Sequence, residues 1–119
     1  MDHPPLDLVT LNRRTLGNVV LRDDLLRLFR EHGPISLGAV ATSLQAHDAA
    51  AITAAAHRLK GSAATIAATE LAGTARRIEL AASAEDWHAI ASEIEMADSQ
   101  LLRCLERIDD LLVTNSVVD

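Results

Sequence analysis

Apolar residues recur at alternating spacings of three and four through Trp87, Ile90, Ile94, Ala97, Leu101, Cys104, Ile108 and Leu111, the seam of a helix packed in a bundle. The pattern predicts one long helix ending near 113, roughly 45 Å long at ~1.5 Å per residue. Ser83 followed three residues later by Asp86 resembles a capping box, which sets the expected start at 83 or 84. Leu71, Ala75, Ile78 and Ala82 mark a shorter helix over about 68–82; Ile52, Ala56, Leu59, Ala63 and Ile66 mark another over about 48–65, with Asp48 suited to cap it. The stretch from Leu21 to Gln45 is also helical in pattern, but Gly33-Pro34 interrupts it and predicts either a kinked helix or two helices. Leu8, Leu11 and Leu16 suggest a short crossing helix that Gly17 ends. Short connections make successive helices antiparallel, so the expected fold is all-α: an up-down-up-down four-helix bundle with a short extra N-terminal helix. The chain is expected to be a single domain over 1–119, with the bundle core at about 20–113 and a frayed tail at 114–119.

Composition agrees with that pattern. Of 119 residues, 21 are Ala and 18 Leu, against one Trp, one Phe and no Tyr, so the apolar stock is made of strong helix formers. Two aromatics and a net charge of −6 supply neither stacking platforms nor attraction for phosphate backbones, which argues against nucleic acid as a partner. The lone Cys104 excludes an internal disulfide and reads as a small core residue in a reducing compartment. No apolar run approaches the ~20 residues that span a bilayer, and MDHPPLDL lacks a basic region followed by an apolar stretch. No membrane partner is expected, and the expected location is cytoplasmic. Charge is uneven: −1 over residues 1–56, +2 over 57–79 and −7 over 83–119. Ten of the eleven basic residues are Arg, and the single Lys is Lys60.

The chemistry concentrates in His57-Arg58-Leu59-Lys60-Gly61-Ser62. Residues three and four apart on a helix are neighbours, so Lys60 and Gly61 sit one turn beyond His57, while Leu59 turns about 200° away into the apolar stripe. A glycine inside a helix costs about 1 kcal/mol relative to alanine, and in so Ala-rich a segment Gly61 needs a reason. Close approach of another molecule beside His57 supplies one, and Thr53, Ala54 and Ala64 keep the same face small. An imidazole there can attack phosphorus, with the Lys60 cation balancing the phosphoryl oxygens. If the chain reverses near Ala67 or Ala68, Glu79 comes level with His57 on the next helix. Its carboxylate can then accept a hydrogen bond from Nδ1 and leave Nε2 free.

The stretch AAHRLKGSAATIAATELAGTARRIELAA resembles the signature of histidine-containing phosphotransfer (HPt) domains: His-x-Leu-Lys-Gly-Ser, a small-residue turn, a Leu-Ala pair and an apolar-Glu pair. Asp24 to Phe29, Leu44 and the His47-Asp48 turn extend the likeness over roughly 20–110. The resemblance implies a phosphorelay carrier that turns over no substrate of its own. It would take a phosphoryl group from a receiver phospho-aspartate onto His57 and pass it to the aspartate of another receiver. It implies Lys60 as the phosphate-side cation, Gly61 as the residue that lets the receiver close in, and Glu79 beside the imidazole. Arg58, Ala64, Thr53 and Arg76 fall on the implied partner face. The implied partners are response-regulator receiver domains and a hybrid sensor histidine kinase; magnesium belongs to the receiver, so no cofactor or metal is expected here. The family often has Gly where this chain has Ala67, and a small polar residue or Thr where it has Arg58.

His3, His32, His47 and His88 lack such a context and read as solvated or capping residues. Glu85 and His88 form one Glu-x-x-His pair where a di-iron bundle needs two. Arg76-Arg77 reads as a solvated face, and Glu79 as a surface carboxylate pairing with Arg76 is the alternative to its imidazole role. A phosphorylation-independent module that binds and regulates a kinase or receiver is the alternative function, against which the intact motif argues. A self-contained bundle needs no second copy, so a monomer is expected.

Overall fold

The structure, a computed structural model, describes residues 3–116, with side chains described through 112. Among the described residues all regular structure is helical: α1 (Leu8–Arg14), α2 (Val19–Gln45), α3 (Ala49–Thr65), α4 (Thr69–Ser83) and α5 (Trp87–Ser116). α2 packs on α3 and α5, and α4 packs on α3 and α5, closing a ring of four helices within an envelope of 50 × 27 × 22 Å.

The apolar seams predicted from spacing form the core. Ile52, Ala56, Leu59 and Ala63 of α3 with Ile66 just past it, Leu71, Ala75, Ile78 and Ala82 of α4, and Ile90, Ile94, Ala97, Leu101, Cys104 and Ile108 of α5 are all buried. Trp87 and Leu111 at the ends of the last seam are only half-buried, and Leu112 closes it in place of Leu111. Burial among these side chains pushes the Cys104 thiol up to about 11 from 9.0. No helix among the described residues is long and apolar enough to cross a membrane.

α2 is one helix that runs through Pro34, so the two-helix alternative is not realised. Proline removes the hydrogen bond to the Arg30 carbonyl, but Pro34 lies on the exposed side of α2, where water can satisfy that group. Gly33 beneath it is buried for a different reason: a Cβ there would come within 2.9 Å of the Phe29 ring. The glycine is therefore a seat for the one Phe of the chain.

Four connections share one design. At the ends of α1, α2, α3 and α4 a residue with positive φ follows the C-cap: Leu16 (55°), His47 (53°), Ala67 (59°) and Glu85 (52°). Its amide donates to a carbonyl three residues back, and the next amide donates five back, as in Ala67 N to Ala64 O (3.0 Å) and Ala68 N to Ala63 O (2.8 Å). This is the Schellman closure, usually made with glycine. Here four non-glycine residues take it, Ala67 among them. The following helix starts at once, with Asp48 Oδ1 accepting from Ala51 N and Asp86 Oδ1 accepting from Ala89 N, each at 3.0 Å.

Asp86 is therefore the N-cap of α5. The capping box expected to start a helix at Ser83 is not formed, because Ser83 ends α4 and its hydroxyl donates to the Glu79 carbonyl. Two further expectations also change. Leu16 is almost fully exposed and carries the turn, not core packing, and α5 continues to Ser116, beyond the predicted 113. Residues 117–119 of the predicted frayed tail lie outside the described residues.

Before α1, the chain crosses the end of the bundle. Leu6 is buried, Asp7 N donates to Ala67 O (2.9 Å), Arg103 donates to His3 O (2.7 Å) and Cys104 Sγ donates to Pro5 O (3.5 Å). Arg14 of α1 donates to the Ala64 carbonyl at the C-terminal end of α3, where a cation complements the helix dipole.

Candidate functional site

One face of α3 is committed to the core by Ile52, Ala55, Ala56, Leu59 and Ala63. The opposite face is left with short side chains and one imidazole. The His57 side chain is 70% exposed, and Ala54, Arg58, Gly61 and Ala64 around it are exposed as well. Thr53 is half-buried, and its hydroxyl donates back to Ala49 O at 3.0 Å. A Cβ built on Gly61 meets nothing within 4 Å, so no packing among the described residues requires a glycine there.

Glu79 reaches this face from α4. Its Oε1 lies 2.8 Å from Lys60 Nζ, and its Oε2 lies 3.6 Å from His57 Nδ1. The second distance is longer than a hydrogen bond, so carboxylate and imidazole stand side by side without being joined. The side chains of Lys60 and Glu79 are 33% and 19% exposed. Oε1 is shielded from solvent and has no hydrogen-bond partner, so its contact with Lys60 is an ion pair held by charge without hydrogen-bond alignment.

Sequence spacing thus brings His57, Lys60, Gly61 and Glu79 together, with Arg58 and Ala64 on the same exposed surface of α3. Arg76 of α4 is exposed and is not the ion-pair partner of Glu79; Lys60 is. Arg77 beside Arg76 is exposed too, as the solvated-face reading expects, but it also has partners. It turns to α5, where Nε donates to Glu93 Oε2 at 3.0 Å and Nη2 donates to Thr74 Oγ1 at 2.8 Å.

Sequence reasoning missed three features near this face. Arg14 sits at the end of α3, seven positions past His57, with nothing in the spacing of α1 to announce it. Gly38 of α2 is exposed with open space where a Cβ would be, the signal that singled out Gly61. A shallow, mostly apolar groove between α2 and α3 is lined by Leu25, Leu28, Phe29, His32, Ser62 and Thr65, with Leu28 exposed at its rim.

An exposed imidazole with a lysine one turn away and a carboxylate behind it can serve as a phosphoryl acceptor, and a helical bundle that displays such a histidine is the architecture of a phosphotransfer domain. The Hpt domain family model matches residues 24–111, and the chain belongs to that family. Family membership supports a phosphotransfer role in two-component signalling, and Hpt proteins interact with receiver domains and kinases in phosphorelays. The crystal structure of histidine-containing phosphotransfer protein B (HptB) from Pseudomonas aeruginosa PAO1 is similar in fold, with a TM-score of 0.84 and 24% identity over 92% of this chain and 95% of that chain. No curated protein matches the sequence.

Proposed function

We propose that the protein is a phosphorelay carrier that accepts a phosphoryl group on His57 from a receiver phospho-aspartate and passes it to the aspartate of another response-regulator receiver. The observation that carries this is the setting of His57: a largely exposed ring whose Nδ1 edge faces Glu79, leaving Nε2 for the incoming phosphorus. In this reading Lys60 balances the phosphoryl oxygens, Glu79 stands on the Nδ1 side of the ring, and Gly61 and Ala64 give the receiver a bare surface to close on. Arg58, Arg76 and Thr53 border that surface. Four helices running up-down-up-down carry the site; their ring of contacts and three-residue connections support that order. Gly38 then comes level with His57 on the adjoining helix and widens the bare surface.

The carrier works as a monomer in the cytoplasm, takes no cofactor of its own, and meets the hybrid kinase through that kinase's receiver. Phosphorus passes from an acyl phosphate to nitrogen and back to a carboxylate, so the protein supplies position and charge, and the receiver's magnesium supplies the rest. Incubation with a phosphorylated receiver should give an acid-labile, alkali-stable phosphate that is absent in His57→Gln. Absence of transfer from every receiver of the source genome overturns the reading.

A further inference from the structure

The Glu79 carboxylate stands between two groups that want it, and at rest it serves the one that imidazole chemistry does not need. Oε1 holds Lys60 Nζ at 2.8 Å, while Oε2 stops 3.6 Å short of His57 Nδ1. The Lys60 contact lacks hydrogen-bond alignment, and Oε1 is shielded from the water that could complete its shell. Lys60 lies one turn from His57, and its side chain is a third exposed. These facts describe a partly exposed ion pair, within reach of the imidazole and open to competition.

We propose that phosphorylation of His57 makes Glu79 exchange partners: Lys60 leaves the carboxylate for the phosphoryl oxygens, and the carboxylate closes on Nδ1–H. The inference rests on the phosphocarrier reading and adds to it a coupled rearrangement of the charges. When Nε2 attacks, the N–P bond forms and the P–O bond of the aspartyl phosphate breaks, and the aspartate leaves as a carboxylate. Nδ1 keeps its proton, so the ring becomes cationic while the new phosphoryl group carries up to two negative charges. Both changes act against the resting pair. The phosphoryl oxygens offer Lys60 a denser negative charge than one carboxylate, and the cationic ring offers Glu79 a donor that needs less than 1 Å of approach to form a hydrogen bond. Departure of the phosphoryl group reverses both pulls and resets the site. Glu79 is then a positioning residue with two duties separated in time.

Lys60 is the only lysine of the chain, so lysine labelling gives a single side-chain ammonium resonance to follow by NMR. Phosphoramidate serves as donor: its P–N bond breaks, ammonia leaves, and the phosphohistidine is identified by its own phosphorus resonance. In the resting protein Glu79→Gln should shift the Lys60 resonance and leave His57 Nδ1 nearly in place. In the phosphorylated protein the same substitution should shift Nδ1 and leave Lys60 nearly in place. Lys60→Gln approaches from the other side, since it frees Glu79 at rest and should move Nδ1 toward its phosphorylated position before any phosphoryl group arrives. Thermal melting of both variants checks that the fold is kept. An equal response of Lys60 to Glu79→Gln in both states overturns the exchange and leaves the carrier reading standing. No phosphohistidine signal from phosphoramidate or from a phosphorylated receiver overturns the carrier reading and the exchange with it.

Discussion

Helix α4 carries a polar cluster on each flank, and the two are finished differently. Toward α5, Thr74 is fully buried, its hydroxyl donates to Gln100 Oε1 at 2.6 Å and accepts from Arg77 at 2.8 Å, and Arg77 continues to Glu93 at 3.0 Å. Toward α3, Glu79 has an ion pair without hydrogen-bond alignment and an imidazole beyond hydrogen-bonding reach. A buried polar group left unpaired costs about 1–3 kcal/mol, so a cluster that only holds helices together is driven to close. Toward α3 the Lys60 ion pair offsets part of that cost, and the exposed imidazole leaves the cluster open on one side.

The strongest way to break the comparison is to fill the open side. The Cβ of Gly61→Leu meets nothing within 4 Å among the described residues, and the substitution should raise helix stability by about 0.8 kcal/mol, while holding a receiver off His57 and cutting the transfer rate by about a hundredfold or more. Stopped transfer with a raised unfolding midpoint is the expected pair of results; unchanged transfer would remove close approach as the reason for the glycine. Thr74→Val does the reverse on the α5 flank. It leaves Gln100 and Arg77 without their shared hydroxyl, so urea unfolding should show a loss of about 1–3 kcal/mol while phosphoryl acceptance per folded molecule is unchanged.

A smaller effect comes from Cys104, packed behind the α5 side. Its folded pKa is raised to about 11 by burial, so the folded state keeps a proton that the unfolded state loses from about 9 upward. The stability this contributes is complete below 9 and is lost as pH rises through 11, and Cys104→Ala should flatten the alkaline limb of the stability curve. The smallest effect expected is at Glu85, exposed and held at φ 52°. Glu85→Gly removes the left-handed strain against glycine's greater chain entropy, for a net gain of about 0.5 kcal/mol in the unfolding free energy, with transfer untouched.

Legibility in the sequence followed the same division. The core seams were legible because burial on one helical face imposes a spacing that survives in the residue types, and Ile52 to Ile66 and Leu71 to Ala82 are buried where the spacing puts them. His57, Lys60 and Gly61 were legible because one short helix carries all three. Glu79 needed the added step of a chain reversal. Features that depend on exchange between equivalent options were not legible. A Schellman turn usually advertises itself by glycine, and His47, Ala67 and Glu85 make it without one. Ser83 and Asp86 both suit an N-cap, and only the place where α4 stops decides between them. The choice of Lys60 over Arg76 or His57 as partner of Glu79 is a matter of side-chain reach across two helices, which spacing along either helix does not encode.

The segment that crosses the bundle end sets an order of events in folding. Each of α2 to α5 meets its sequence neighbour through a three-residue turn, contacts that close small loops and form quickly. The bonds from Arg103 to His3 and from Cys104 to Pro5 join residues 100 and 99 positions apart. Closing so long a loop is entropically favourable only after the helices are assembled. The strap is therefore expected to latch last and release first, so that weakening Leu6 would speed unfolding while hardly slowing folding. The turn at Ala67, to which Asp7 donates, would then feel the loss before the face carrying His57 does.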